Sequence, residues 1–185
     1  MKVEPTQLPG VLVIDPRIFG DDRGYFLEAW QYERYRDAGV DASFVQDNLS
    51  FSHAGVLRGL HLQNPHPQAK LVQVLVGEVF DVAVDVRAGS PTFGKWVGER
   101  LSGDDKRQIF VPAGFAHGFC VLSDTVLLSY KCTDIYSPRN EITIRWDDPS
   151  IGIDWPIRSP EVSPKDAQGV RLDEIDRKLL PPYMG

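Results

Sequence analysis

The chain has 185 residues, of which 42% are hydrophobic and 25% charged, and its formal net charge is −6. This length suits one domain with a single core, and the composition is that of a globular protein rather than a disordered or membrane-spanning one. The negative charge argues against a general nucleic-acid binder, which needs a basic surface to displace counterions. We therefore expect one domain over residues 1–185, with no nucleic-acid and no membrane partner.

Short β-type runs, many of them separated by turn residues, follow one another along most of the chain. In chain order they are 11–14, 25–30, 44–45, 56–62, 71–76, 79–86, 96–101, 108–111, 118–122, 125–132 and 141–146. Regular short strands of this kind predict an all-β sandwich or barrel. Only 31–38 and 172–180 have a helical pattern, and we expect the tail 156–185 to pack over the barrel.

The run 79–86 shows the clearest alternation. Val82, Val84 and Val86 occupy one set of alternate positions, and Asp81, Ala83 and Asp85 occupy the other. Because successive side chains of a strand point to opposite faces, the three valines are predicted to share one face.

Two features of the sequence bear on the cellular compartment. The first residues lack the apolar core of a signal peptide, which favours a cytoplasmic location. Cys120 and Cys132 each lie inside an apolar run. They are too few for a disulfide framework, and we interpret them as small buried hydrophobic residues.

The histidines do not form the pattern of a metal site. The chain has His53, His61, His66 and His117, and no His-x-His pair on one strand. Prolines flank His66, so a single strand face cannot present both His61 and His66. We therefore expect no metal ligand set and no cofactor.

Residues 112–117, Pro-Ala-Gly-Phe-Ala-His, resemble the second motif of the cupins, which are small β jelly rolls. The turn is predicted to direct His117 into the barrel interior. Two interpretations stay open: His117 lines a pocket, or it is a core histidine with a structural hydrogen bond.

Residues 58–63, Arg-Gly-Leu-His-Leu-Gln, place a cation and an imidazole inside an apolar strand. Burial of both is unfavourable without partners, and strands that accept this often carry a site. Strict alternation would separate Arg58 from His61, but a bulge at Gly59 would bring them to one face. The alternative is that Arg58 extends to the rim while His61 makes a structural hydrogen bond.

Three further polar groups favour a site. Lys70 has the parity of Val72 and Val74, and Tyr130 has the parity of two apolar neighbours on its own run. Residues 46–48, Gln-Asp-Asn, place amide groups beside another apolar run. A lysine, a tyrosine, a histidine and an arginine on inner faces are typical of a proton-transfer site for a bound anion.

Many blocks of the chain, in order, resemble the dTDP-4-dehydrorhamnose 3,5-epimerase family. They are 19–28, 44–48, 56–61, 70–72, 77–85, 90–94, 111–119, 130–133, 152–156 and 163–167. The resemblance implies a cupin-like double-stranded β-helix, or jelly roll, with short peripheral helices. It also implies an isomerase that inverts carbons 3 and 5 of dTDP-4-dehydro-6-deoxy-D-glucose to give dTDP-4-dehydro-L-rhamnose, in dTDP-L-rhamnose biosynthesis.

The resemblance also implies residue roles. His61 matches the general base, Asp166 its carboxylate partner, Tyr130 the general acid, and Lys70 the residue beside the keto oxygen. By residue type alone, Asp166 would be a solvated residue of the tail. The positions that match substrate contacts are Arg23, Glu28, Gln46, Asn48, Arg58, His117, Glu141 and Lys165.

The nucleotide part of the substrate suggests further contacts. Arg23, Arg58 and Lys165 are candidates to hold the diphosphate, the arginines through bidentate bonds. Phe19, Phe26 and Tyr136 are candidates to stack on thymine, although each could also be an ordinary core residue. The family is a homodimer, and the block with Arg23 and Glu28 is similar to one that reaches into the partner's site.

Other functions remain open at this point. Leu62 and Ala69 depart from the family pattern, which commonly has an aromatic residue and a glycine there, and this leaves open the relative efficiency at the two carbons. A related epimerase that inverts only one carbon is an alternative, since its residues would look almost the same. A non-catalytic sugar-binding cupin would be expected to lack a proton carrier, yet His61, Tyr130 and Asp166 are all present. A metal-dependent cupin oxygenase or isomerase is disfavoured by the missing His-x-His pair.

Overall fold

The computed structural model describes residues 1–184 and consists mainly of β-strands in two large antiparallel sheets. The six-stranded sheet has the order β1 (Lys2–Pro5), β2 (Leu12–Asp15), β10 (Gln108–Val111), β7 (Lys70–Val76), β12 (Thr125–Cys132) and β5 (Gln46–His53). The five-stranded sheet has the order β13 (Glu141–Thr143), β6 (Leu57–Gln63), β11 (Phe115–Val121), β8 (Glu78–Asp85) and β9 (Trp96–Ser102). The predicted all-β fold is confirmed.

Three smaller features complete the chain. β3 (Ile18–Asp21) and β4 (Gly24–Leu27) form a separate two-stranded hairpin. The helix α1 (Tyr32–Asp37) confirms the first helical prediction, and Gln31 caps it by accepting from the Arg34 N–H. The second helical prediction was wrong in kind, because 172–180 contains two short 3₁₀ turns, Leu172–Glu174 and Arg177–Leu179. No helix in residues 1–184 is long and apolar enough to cross a membrane.

β8 is buried on both faces, and this explains its composition. Val79 and Ala83 belong to the core between the two sheets. Val82, Val84 and Val86 lie on the opposite face, in a second core that also contains Leu172 and Leu180 from the end of the chain. The predicted shared face of the three valines is confirmed. Apolar residues at both sets of alternate positions are typical of strands covered on both sides.

The C-terminal part of the chain provides that second cover. Glu161 forms a parallel bridge with Val56, and Val170 forms one with Ile144. Between them, the one-turn helix α2 (Pro164–Ala167) is capped by Ser163, whose hydroxyl accepts from the Asp166 N–H. This segment therefore lies against the five-stranded sheet and carries Asp166 to the middle of β6.

The bulge predicted at Gly59 is present. In the pairing of β6 with β11, His61 lies opposite His117 while Arg58 lies opposite Phe119, so β6 contains one extra residue. Gly59 has φ +127°, and a Cβ there would approach the Gly118 Cα to 2.6 Å. A side chain at this position would collide with the neighbouring strand, and the extra residue restores Arg58 and His61 to the same face.

The strand β5 was missed, and the strand predicted at 44–45 was wrong, because those two residues precede β5 and lie outside any strand. Its alternate residues Gln46, Asn48, Ser50 and Ser52 point inward, whereas Leu49 and Phe51 are exposed. The usual pattern of apolar inside and polar outside is therefore reversed. This reversal hid the strand, and it also marks the wall of a polar cavity.

Candidate active site

A cavity of about 540 Å³ opens between the two sheets, a volume typical of small-molecule sites. Most of the predicted site residues line it: His61, Tyr130, Asp166, Lys70, Gln46, Asn48, Arg58, His117, Tyr136, Glu141 and Lys165. We call the side formed by Arg58, His61 and His117 the histidine wall, and the side formed by Lys70 and Tyr130 the lysine wall. The first belongs to the five-stranded sheet and the second to the six-stranded sheet.

His61 and Asp166 form a close pair on the histidine wall. His61 Nε2 lies 2.6 Å from Asp166 Oδ1. The Gly59 N–H donates to Asp166 Oδ2 at 3.4 Å, and the carboxyl group is buried. Burial opposes ionisation of Asp166, but the hydrogen bonds and the charge of His61 outweigh it, so its pKa lies below the usual value. Asp166 is therefore an anion that orients the imidazole.

A second carboxylate lies on the other side of the imidazole. Glu141 Oε1 is 3.9 Å from His61 Nδ1, and it accepts a hydrogen bond from Lys165 Nζ at 2.9 Å. The Tyr136 hydroxyl donates to Glu141 Oε2 at 2.7 Å. Glu141 therefore connects the edge of the cavity with the imidazole.

The lysine wall has no charged partners at its functional groups. Lys70 Nζ donates to the Gln68 side-chain amide oxygen at 3.0 Å. Within residues 1–184, Lys70 forms no salt bridge and the Tyr130 hydroxyl no hydrogen bond to the chain. Burial lowers the pKa of Lys70 and raises the pKa of Tyr130. Both effects favour the uncharged form of a group removed from water.

Both interpretations of His117 hold, since it lines the pocket and also makes a structural hydrogen bond. It lines the cavity, and its Nε2 lies 2.9 Å from each carboxylate oxygen of Asp81. Asp81 is fully buried on β8, two residues before Ala83, which pairs with His117. Asp81 was not among the predicted site residues. Its inward parity with Ala83 on an apolar strand was the signal that could have identified it.

Polar side chains continue around the cavity on β5 and at the start of β6. Arg58 Nε donates to Ser52 Oγ at 3.0 Å, which holds the guanidinium toward β5. Gln46 donates to the Asn48 side chain at 2.8 Å, and the Tyr136 N–H donates to Gln46 at 2.9 Å. These bonds place donors and acceptors for a polar ligand beside the lysine wall.

Three predicted contact residues lie outside this cavity, and so does Phe19, the other candidate to stack on thymine. Arg23 and Phe26 belong to the β3–β4 hairpin, where Phe26 is 68% exposed and Arg23 pairs with Asp21. Glu28 follows the hairpin and accepts a hydrogen bond from Arg34 at 2.7 Å. A single chain therefore does not bring these three residues to its own site.

Cys132 also lines the cavity, beside Lys70 and Tyr130, and was not predicted to do so. The expected burial of both cysteines is confirmed, and neither forms a disulfide. Burial raises the pKa of the Cys132 thiol, so it remains protonated near neutral pH. Within residues 1–184, no cluster of three or more His, Cys, Asp or Glu could hold a metal ion.

Comparisons with known proteins agree with this geometry. The sequence profile of the dTDP-4-dehydrorhamnose 3,5-epimerase family matches residues 5–174. The chain is 53% identical to the dTDP-4-dehydrorhamnose 3,5-epimerase of Pseudomonas aeruginosa, over 95% of this chain and 98% of that protein. It is 41% identical to the dTDP-4-dehydrorhamnose 3-epimerase of Streptomyces niveus, over 99% of this chain and 90% of that protein.

One solved structure is similar to this chain in both sequence and fold. The dTDP-6-deoxy-D-glucose-3,5-epimerase of Legionella pneumophila, in complex with dTDP-4-keto-L-rhamnose, is 53% identical and superposes with a TM-score of 0.97. The match covers 100% of this chain and 99% of that one. The expected jelly roll is thereby confirmed together with its isomerase function. The chain belongs to the dTDP-4-dehydrorhamnose 3,5-epimerase family.

Proposed function

We propose that this protein converts dTDP-4-dehydro-6-deoxy-D-glucose to dTDP-4-dehydro-L-rhamnose, with the sugar bound between the histidine wall and the lysine wall. The observation that carries the proposal is that proton carriers project from opposing sheets into one cavity. Inversion of a carbon needs proton removal on one face of the sugar and proton return on the other. Two opposing walls meet that requirement.

The keto group at carbon 4 explains why one site serves two carbons. Removal of the proton at carbon 3 or at carbon 5 gives an enolate whose charge is delocalised onto the same oxygen. Lys70, which has no carboxylate partner within residues 1–184, is available to this oxygen. A preorganised donor at a developing oxyanion contributes about 2.7–4 kcal/mol.

His61 acts as the general base in this proposal. Imidazole is the side chain best suited to gain and lose a proton near neutral pH. If Nε2–H donates to Asp166, Nδ1 carries the lone pair and is the atom that accepts the proton. Asp166 then fixes this tautomer and stabilises the imidazolium that forms.

Tyr130 acts as the general acid from the opposite wall. Its raised pKa, caused by burial, keeps the hydroxyl protonated well above neutral pH. Since the hydroxyl has no hydrogen-bond acceptor in residues 1–184, it is free to donate to the enolate carbon. The expected product therefore receives its proton on the face away from His61.

The nucleotide is proposed to occupy the open edge of the cavity. Arg58 and Lys165 are cations at this edge, and we assign them to the diphosphate together with Arg23. Tyr136 is 48% exposed there and is proposed to stack on thymine. Gln46, Asn48, His117 and Glu141 complete the polar surroundings of the substrate.

We also propose that the active form is a homodimer in which the β3–β4 hairpin enters the partner's cavity. The hairpin exposes Phe19 and Phe26, and the edge strand β5 exposes Leu49 and Phe51. Exposed apolar residues along an unpaired sheet edge favour association with a second chain. This arrangement would explain why Arg23, Phe26 and Glu28 lie outside the cavity of their own chain. The two buried free cysteines fit the cytoplasmic location expected from the sequence.

Mixing two inactive variants tests the exchanged hairpin. Arg23→Ala and His61→Ala protomers should each have low activity as homodimers. In the mixed dimer, one site receives the intact Arg23 from one chain and the intact His61 from the other. Unfolding and refolding an equal mixture should restore activity to about one quarter of the sites, because half of the dimers are mixed and half of their sites are intact. No gain on mixing would place Arg23 and His61 in the same chain's site.

The catalytic proposal is tested by incubation with dTDP-4-dehydro-6-deoxy-D-glucose in heavy water, followed by NMR of the sugar. Wild-type protein should place deuterium at both carbon 3 and carbon 5 and give the L-rhamno product. Deuterium at carbon 3 alone would instead indicate a single-carbon epimerase, like the one named for Streptomyces niveus.

A further inference from the structure

Glu141 has a position that substrate contact alone does not explain. Its side chain is only 12% exposed, and the same oxygen, Oε1, lies 3.9 Å from His61 Nδ1 and 2.9 Å from Lys165 Nζ. The other oxygen accepts from the Tyr136 hydroxyl. Burial opposes ionisation of Glu141, but the hydrogen bonds from Lys165 and Tyr136 and the charge of His61 outweigh it, so its pKa is lowered. An anion therefore faces the imidazole nitrogen that Asp166 does not use.

The interaction of Glu141 with His61 changes when the imidazole takes up a proton. A neutral imidazole that donates from Nε2 to Asp166 presents only a lone pair at Nδ1, and a carboxylate gains nothing from a lone pair. Once Nδ1 is protonated, the same carboxylate faces a cation. Glu141 thus stabilises the product of proton abstraction more than its starting state.

Lys165 opposes this effect as long as it pairs with Glu141. Its ammonium offsets the charge of the carboxylate next to His61. Lys165 directly precedes Asp166 on α2 and its side chain is half exposed, so it can move without disturbing the buried Asp166. A bound diphosphate at the edge of the cavity would compete with Glu141 for this ammonium.

We infer that Glu141 is a positioning residue whose carboxylate stabilises the protonated form of His61, and that the substrate's diphosphate strengthens this effect by drawing Lys165 away from Glu141. The inference rests on the proposed function of His61 as the base. It predicts an empty site with a weaker base and a loaded site with a stronger one.

Other ionisable groups line the same cavity as His61. They are Arg58 on β6, Lys70 on β7, His117 on β11, Tyr130 and Cys132 on β12, Tyr136 before β13, and Asp166 on α2. Among these groups, none both approaches His61 and accepts a hydrogen bond from Lys165, as Glu141 does. Glu141→Gln keeps the size of the side chain and an oxygen that accepts from Tyr136, while it removes the charge. Glu78→Gln is a matched control, because Glu78 pairs with Arg100 in an exposed ion pair and does not line the cavity.

The first measurement is an NMR titration of the His61 imidazole, identified as the signal missing from His61→Ala, with and without dTDP. An opposite charge within about 4–6 Å shifts a pKa by about 1–3 units, and we expect the lower end because the imidazole is partly exposed. Without dTDP, the His61 midpoint should be lower in Glu141→Gln than in wild type, higher in Lys165→Met, and unchanged in Glu78→Gln. Added dTDP should raise the midpoint more in wild type than in Glu141→Gln.

Equal midpoints in wild type and Glu141→Gln, or equal responses to dTDP, would overturn the inference. If Glu141→Gln does not fold, Lys165→Met decides it, since an unchanged or lowered His61 midpoint in that variant contradicts the role of Lys165. These arms do not require turnover, so they remain valid even if the wild type fails to epimerise the sugar and the proposed function itself is wrong.

Kinetics separate this role from simple substrate contact. If Glu141 acts through His61, Glu141→Gln should lower kcat and move the acidic limb of the kcat–pH profile to lower pH by about 1 unit, with little change in KM. A raised KM with an unmoved limb would show that Glu141 only binds substrate, and it would refute the inference.

Discussion

The two walls of the cavity prepare their ionisable groups in different ways. On the histidine wall, every imidazole has a carboxylate partner: Asp166 for His61 and Asp81 for His117. On the lysine wall, Lys70 has only an amide partner and the Tyr130 hydroxyl has none within residues 1–184. The first wall is organised to accept and hold a positive charge, whereas the second leaves its groups free for the substrate. The difference matches a base on one side and an acid with an oxyanion donor on the other.

The largest effect is expected from loss of the base. In His61→Ala, both epimerisations and both solvent exchanges should fall by about 10²–10⁴-fold or more, because no other group on that wall replaces the lone pair at Nδ1. Turnover is measured by NMR, with circular dichroism and thermal unfolding as controls for the fold. A folded His61→Ala protein with near-wild-type turnover would remove His61 from the mechanism.

Loss of the acid should separate exchange from inversion. In Tyr130→Phe, His61 can still remove a proton and return it to the same face, so exchange with heavy water should persist while net inversion falls by about 10²-fold. Deuterium content and product configuration are measured in one NMR experiment. If exchange and inversion fell equally, Tyr130 would be assigned to binding or to enolate formation, and another group would have to be the acid.

Asp166→Asn should be less harmful than His61→Ala. A hydrogen bond to a charged group contributes about 1.5–3 kcal/mol, which corresponds to roughly 10–150-fold in rate. The base remains, but its tautomer and its imidazolium lose support. The measurement is kcat for both variants under the same conditions. Asp166→Asn as inactive as His61→Ala would mean that the pair acts as one unit.

The lysine wall should set the alkaline limit of activity. Because burial lowers the pKa of Lys70, its ammonium should be present below that pKa and lost as the pH rises through it, at a lower pH than for an ordinary lysine near 10.4. Tyr130 has a raised pKa and should lose its proton later. The kcat–pH profile should therefore fall at a pH below the usual lysine value.

Lys70→Arg provides the control for this limb. A guanidinium stays charged throughout this range, so any activity that the variant retains should extend to higher pH. An alkaline limb at the same pH in wild type and Lys70→Arg would assign the limit to another group.

Metal removal should leave the epimerase activity unchanged. The proposed mechanism assigns oxyanion stabilisation to Lys70 and proton transfer to His61 and Tyr130, so no step calls for a Lewis acid. Activity is measured after exhaustive chelation, with readdition of single divalent ions. A loss that one specific ion restores would show that the lysine wall is incomplete without a metal.

Local sequence pattern determined much of each wall. The parity of Lys70 with Val72, and of Tyr130 with Leu128, indicated that both side chains point inward. Gly59 indicated the bulge that brings Arg58 and His61 to the same face. These features depend on neighbours a few residues away. The alternation of side chains along a strand is fixed by backbone geometry, and it can therefore be deduced from the sequence.

Local sequence pattern did not indicate which groups meet, and only the family resemblance paired Asp166 with His61; the tertiary structure decided these contacts. Asp166 is 105 residues from His61 in the chain and joins it because the C-terminal segment bridges to the residue before β6. Asp81 meets His117 through sheet order, and Glu141 meets His61 because β13 pairs with β6. The cavity also inverted the polarity of β5, so its pattern could be understood only after the strand was placed beside β12. Such contacts depend on how distant strands are ordered, which short-range periodicity does not specify.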